Sequence, residues 1–187
     1  MSAHPTDISC RQVLQKQGAV WSEQWTFLPA PVTPAWLLER YLEHIRRYTL
    51  GLVRPRSTPA GVEFRCLGLT LLRFRPPEAA ERPPSVVLAI AGGLLVQREN
   101  CHCGELAFLV QEMAEGQRVS VRLSDYCPLL LGGRRPSPWR KLLYRFTQAA
   151  IHRLVTVRFL LRLHRQLAGR RICCRVVRVQ QRDEESI

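Results

Sequence analysis

Between Tyr126 and Arg182 the chain has no aspartate or glutamate, although that stretch holds thirteen arginines and one lysine. Lysine is scarce throughout, with Lys16 and Lys141 against 26 arginines. Only three aspartates occur in 187 residues, so reactions that need paired carboxylates are poorly supplied. No phosphate-loop, GxSxG, HExxH or dinucleotide-binding pattern is present, which removes the chemistries built on them and leaves no cofactor expected. The longest apolar run, Val86 to Val96, is too short to span a bilayer. The N-terminus lacks the basic-then-apolar order of an export signal. Seven cysteines, an odd number without such a signal, are therefore expected as reduced thiols in a cytoplasmic protein.

What is present is a lopsided charge. The net charge is +13 at pH 7, yet residues 1–125 are nearly balanced and the last five are acidic, so the excess lies in the C-terminal third. That third is also among the most apolar parts of the chain. A segment both greasy and positive has to cover a core while facing something negative. Arginine, less tightly hydrated than lysine, suits that role through bidentate contacts with phosphate and carboxylate. With 46% hydrophobic residues over 187 positions, a single domain with a sizeable core is expected.

Residues 1–17 are polar and read as a flexible arm, 18–169 as the folded domain, and 170–187 as a basic strand or tail with an acidic end. Ala19 to Leu28 reads as a strand with Trp21 and Trp25 on one face. Thr33-Pro34 reads as cap and first turn of a helix running to Tyr48. A strand-rich middle follows. It contains a short strand at 50–54, a turn at 55–61, a strand at 61–75, a proline-rich connection at 76–84, and a run at 85–97 bent at Gly92-Gly93. Residues 104–112 and 117–126 read as a hairpin. Ser137-Pro138 opens a helix that runs to Ala168 and stops at Gly169, about 46 Å long.

This order is strand, helix, antiparallel strands, then a late long helix. It resembles the helix-grip superfamily of START domains, plant Bet v 1-type proteins and bacterial polyketide cyclases/dehydrases. The resemblance covers roughly residues 18–168 and lies in element order. It implies an α+β single domain in which a curved antiparallel sheet wraps around the C-terminal helix. It departs from the family in having one helix after the first strand where two short ones are usual. It also implies an apolar cavity between sheet and helix for a lipid, polyketide or other hydrophobic ligand.

At 100° per residue, one broad side of the last helix collects Trp139, Leu142, Leu143, Phe146, Ala149, Ala150, Leu154, Val157, Leu160, Leu161, Leu163 and Leu167. That side is expected to grip the sheet. Arg140, Arg158, Arg162 and Arg165 fall on the other, where Tyr144, Ile151 and Val155 interleave with them; a covering segment, a partner subunit or an anionic membrane would each explain this mixture. Arg153 falls within the apolar side. Either it pairs with a strand carboxylate such as Asp125 or Glu105, or its stem reaches out to water, or the helix is rotated from the ideal plot, or it anchors an anionic group of a ligand. Asp125, His152, Phe146 and Phe108 complete the expected ligand contacts.

Cys101-His102-Cys103 is the densest group of metal-capable side chains, but no second pair stands at a familiar spacing and no metal is expected. Three functions are consistent with these residues. The first is a carrier of a hydrophobic ligand, anionic if Arg153 holds it, working at membranes. The second is a cyclase/dehydratase-type enzyme in the same cavity, with Asp125, Tyr126 and His152 as acid–base candidates. Nucleic-acid binding ranks third, because the most basic segment is also the longest apolar one.

Overall fold

The computed structural model describes residues 8–14, 19–97, 104–114, 116–132, 137–168, 176–178 and 185–186. The chain forms β1 (Ile8–Leu14), β2 (Val20–Leu28), α1 (Pro34–Tyr48), β3 (Val53–Thr58), β4 (Gly61–Cys66), β5 (Leu69–Phe74), β6 (Glu78–Glu81) and β7 (Pro84–Gly92). The hairpin β8 (Glu105–Met113) and β9 (Gly116–Tyr126) follows, then the long helix, then β10 (Val176–Arg178) and β11 (Glu185–Ser186). The main sheet runs β10-β1-β2-β9-β8-β7-β5-β4-β3, with β6 on β7 and β11 on β1. Among the described residues every pairing is antiparallel except that of β1 with β10.

The helix starts are set by their caps. Thr33 accepts a hydrogen bond from the Trp36 amide at 3.2 Å and Pro34 occupies the first turn. In β2, alternate residues from Val20 to Leu28 are buried, as a strand with one face on the core requires. Residues 8–14, within the expected flexible arm, instead pair along β2 from Ser9↔Trp25 to Leu14↔Val20. Their polar residues mask three apolar ones, Ile8, Cys10 and Val13, all buried.

The middle region differs from its sequence reading in three places. Residues 61–75 are two strands, turned at Leu67-Gly68, where both residues have positive φ. The stretch 55–61 is mostly strand, with Pro55 in β3 at the sheet edge, where its missing N–H costs nothing. The proline-rich connection contains β6. The bend at Gly92-Gly93 is present: both have positive φ, and a Cβ on Gly93 would lie 2.4 Å from the Leu71 carbonyl oxygen.

The last helix is a single long element with a defect. It comprises α2 (Pro138–Tyr144), a π-helical turn at Arg145–Ala149 and α3 (Ala150–Ala168). An i→i+5 turn advances each residue by less than the 100° of an α-helix, so across five residues the phase falls behind by roughly 90°. The residues upstream are therefore rotated relative to a plot that assumes one continuous period. Tyr144 swings onto the buried side, whereas Trp139, Leu142, Leu143 and Phe146, expected to grip the sheet, are exposed, Trp139 at 80% and Phe146 at 68%.

Downstream of the turn the core is dense. Phe159, Leu160 and Leu163 of α3 are buried against the sheet. Tyr41 of α1 meets Phe108 of β8 and Phe159 edge-on, each at 5.2 Å, and its hydroxyl lies 3.4 Å from the Thr156 hydroxyl. Sheet, α1 and α3 converge there. An antiparallel sheet folded around a long C-terminal helix in one domain is the helix-grip architecture, α+β in class. No helix among the described residues is long and apolar enough to cross a membrane. Cys10 and Cys66 are free thiols, as expected, whereas Cys127 is disulfide-bonded.

Candidate functional site

A cavity of about 400 Å³ lies between the sheet and the N-terminal part of the long helix. Its position follows from the π-helical turn. The rotation turns four large apolar side chains outward and brings Tyr144 onto the cavity side, where it joins Thr147 and Gln148 of the turn and Ile151, His152 and Val155 of α3. The remaining walls are mainly apolar side chains of α1, of β3–β5 and β7–β9, of Leu95 and of the segment 129–130, with Thr49 at the end of α1. Among the described residues no charged side chain lines it.

Tyr126, Gln148 and the Leu95 carbonyl form a hydrogen-bonded cluster at the cavity. Tyr126, at the end of β9, donates to the Leu95 carbonyl at 2.8 Å and accepts from the Gln148 amide nitrogen. That nitrogen also reaches the Leu95 carbonyl at 3.4 Å, which fixes the orientation of the amide. Both N–H groups of Gln148 are thus committed, and its buried Oε1 has no hydrogen-bond partner. One helical turn later His152 also lines the cavity, with a buried and unpartnered Nε2. Burial pushes its pKa down from 6.5 to about 4, so the ring is neutral near pH 7. Burial, then the neighbouring Tyr144, hold the Tyr126 hydroxyl well above its ordinary value, only partly offset by the bond from Gln148. Burial likewise raises Tyr144, partly offset by a hydrogen bond with Gln12. Every polar group at the site is neutral.

Of the residues singled out from sequence, the fold brings Tyr126 and His152 together at the cavity and leaves the others elsewhere. Asp125 is exposed in a left-handed backbone conformation and does not line the cavity. Phe108 is fully buried beneath Tyr41, and Phe146 faces outward. Arg153 is partly buried, does not line the cavity, and forms no ion pair with Asp125 or Glu105. Arg140, Arg158 and Arg165 are exposed; Arg162 sits half-buried beside Glu43 and His44. Tyr144, Ile151 and Val155, expected outside, line the cavity instead. Cys101, His102 and Cys103 lie outside the described residues, among which no group of three potential ligands could hold a metal ion.

Gln148, Thr147 and Tyr144 were not singled out for the cavity from sequence. The signal available was Gln148 and His152 at i, i+4 within an apolar helix, a pair of polar side chains on one face.

No family model matches the chain, and no curated protein matches it. Among solved structures the chain is similar to ginseng major latex-like protein 151 from Panax ginseng. The identity is 14%, over 77% of this chain and 96% of that one, with a TM-score of 0.43. It is also similar to CalU16 from Micromonospora echinospora. The crystal structure aligns at 12% identity over 87% of this chain and 96% of that one, the solution structure at 15% over 66% and 62%, each with a TM-score of 0.36. Likeness at this level carries no functional weight; the architecture stands on the sheet and helix described above.

Proposed function

We propose that the protein binds a hydrophobic small molecule or lipid in the cavity beneath the long helix and acts as its carrier. The observation that carries this reading is the cavity itself: about 400 Å³, walled mainly by apolar side chains, with Gln148 and His152 in its lining, each of which holds a buried, unpartnered polar atom. Sites for small molecules commonly measure roughly 300–1,000 Å³ and combine apolar walls with a few placed polar groups. The ligand is neutral in this reading, because a buried carboxylate would meet no cation among the lining residues. Gln148 Oε1 is an acceptor only, so the complementary head is a hydroxyl or similar donor. Arg153, which would have made an anionic ligand attractive, is not at the cavity wall.

The carrier reading is favoured over the cyclase/dehydratase reading by the state of the cavity's acid–base groups. The Tyr126 proton is committed to Leu95 and the group titrates far above neutrality. Asp125 is outside. A carrier takes its cargo from a lipid phase, and the net charge of +13 favours an anionic membrane as that phase.

Displacement of Nile red by the chain-matched set tetradecane, myristyl alcohol and myristate tests this reading. The alcohol is expected to bind best, with myristate weaker by about tenfold or more. Failure of all three to displace the dye rejects the carrier; myristate binding tightest rejects the neutral ligand alone.

A further inference from the structure

Two leucines occupy backbone positions that favour other residues. Leu50 follows the C-cap of α1 with φ +52, and the amides of Leu50 and Gly51 close the helix onto the carbonyls of Arg47 and Arg46 at 3.1 and 2.7 Å. This is the helix-ending motif whose left-handed position usually holds glycine. Leu67 has φ +47 and Gly68 has φ +85, the two central residues of the β4–β5 turn. Positive φ at both positions favours Asn-Gly in such a two-residue hairpin turn. Left-handed backbone is unfavourable for leucine, and neither side chain recovers anything by burial: Leu50 is 96% exposed and Leu67 86%.

Both leucines border one open concavity, shared with Arg46, Arg54, Arg56 and Arg65 and with no acidic residue. Arg54 and Arg65 face each other directly across β3 and β4, an arrangement that repels. Each braces a leucine tip: Arg54 Nε donates to the Gly51 carbonyl and Arg65 Nη2 to the Gly68 carbonyl, both at 3.0 Å. The fold thus tolerates two strained, exposed apolar tips and a like-charge pair in one place.

We propose that this concavity is a docking surface for an anionic lipid membrane. Leu50 and Leu67 enter the headgroup boundary, and the four arginines meet lipid phosphates and carboxylates. Leucines offer no ring on which a base could stack, which favours lipid over single-stranded nucleic acid. The surface adjoins the cavity at Thr49, which lines both. This assignment rests on the reading of the protein as one that meets a membrane; it is independent of which ligand the cavity takes.

The test uses vesicles of phosphatidylcholine, with and without roughly one third phosphatidylserine. The full chain binds the anionic vesicles, and less tightly as salt rises. The double variant Leu50→Gly/Leu67→Asn gives each backbone site its preferred residue. Its Tm is expected to be equal or higher while its Kd for anionic vesicles rises about tenfold or more. Arg54→Gln/Arg65→Gln weakens binding similarly, whereas Arg158→Gln/Arg165→Gln on the long helix leaves it unchanged. Loss of binding only in the helix variant would overturn this surface and keep the membrane reading. Wild-type protein that ignores anionic vesicles would overturn both, as would retention on single-stranded DNA without vesicle binding.

Discussion

Gln148 of the π-helical turn donates to the hydroxyl of Tyr126 on β9, and that hydroxyl donates in turn to the Leu95 carbonyl. This short relay fastens the irregular part of the helix to the sheet at the edge of the cavity. It explains how a helix segment whose large apolar side chains face solvent is nevertheless held in place.

Tyr126→Phe removes the relay without changing the ring. A buried hydrogen bond of this kind contributes roughly 1–2 kcal/mol, so thermal unfolding should occur a few degrees lower. An unchanged Tm would mean that the turn is fastened by something else.

Stability should depend on His152 in the acid range. Its folded-state pKa of about 4 lies below the ordinary 6.5, so the unfolded chain takes up the proton first. The contribution is fully present above about pH 6.5 and is lost as pH falls toward 4, by up to roughly 3 kcal/mol. His44, also lowered by burial and by Arg162, acts in the same direction. His152→Gln should therefore flatten part of the fall in Tm between pH 7.5 and 4.5, leaving the His44 share. Parallel pH profiles for the two proteins would contradict the buried, neutral ring.

Deleting Thr147 should convert the π-helical turn into regular helix. The upstream phase would then advance by roughly one residue, 100°, turning Tyr144 off the sheet and Trp139 and Phe146 toward it. Circular dichroism should retain the helix, while Nile red binding should fall as bulky side chains enter the cavity. Undiminished dye binding would separate the cavity from the turn.

The bend after β7 offers an internally controlled pair. Gly92 and Gly93 both have positive φ, but an added Cβ meets nothing within 4 Å at Gly92 and the Leu71 carbonyl at 2.4 Å at Gly93. Gly93→Ala should cost at least about 2 kcal/mol, more than Gly92→Ala, which carries backbone strain alone. Equal losses in denaturant unfolding would refute the close approach.

Much of the architecture is legible in the sequence because its signals are local. Thr33-Pro34 and Ser137-Pro138 mark helix starts, and the alternation in 104–126 marks the hairpin. The cavity is less legible, because it depends on one non-local irregularity. A helical plot sums phase along the chain, so a single π-helical turn shifts the faces upstream of it, as at Tyr144 and Leu142; the turn does not explain the misplacement of Leu154, Ile151 and Val155 in α3. The β4–β5 turn is hidden for a different reason: leucine at Leu67 is not a turn-forming residue, and the apolar pattern runs on through it. The strand Ile8–Leu14 is concealed by polar neighbours, since its stability comes from pairing with β2 rather than from its own composition.

The central claim is that one neutral, apolar ligand occupies the space beneath the long helix. Native mass spectrometry of the full chain with myristyl alcohol tests it most directly, alongside Leu106→Trp, which fills the cavity from β8. A one-to-one adduct in the wild type that is lost in Leu106→Trp is the predicted result. An adduct of equal abundance in both proteins, or none in the wild type, would contradict the account.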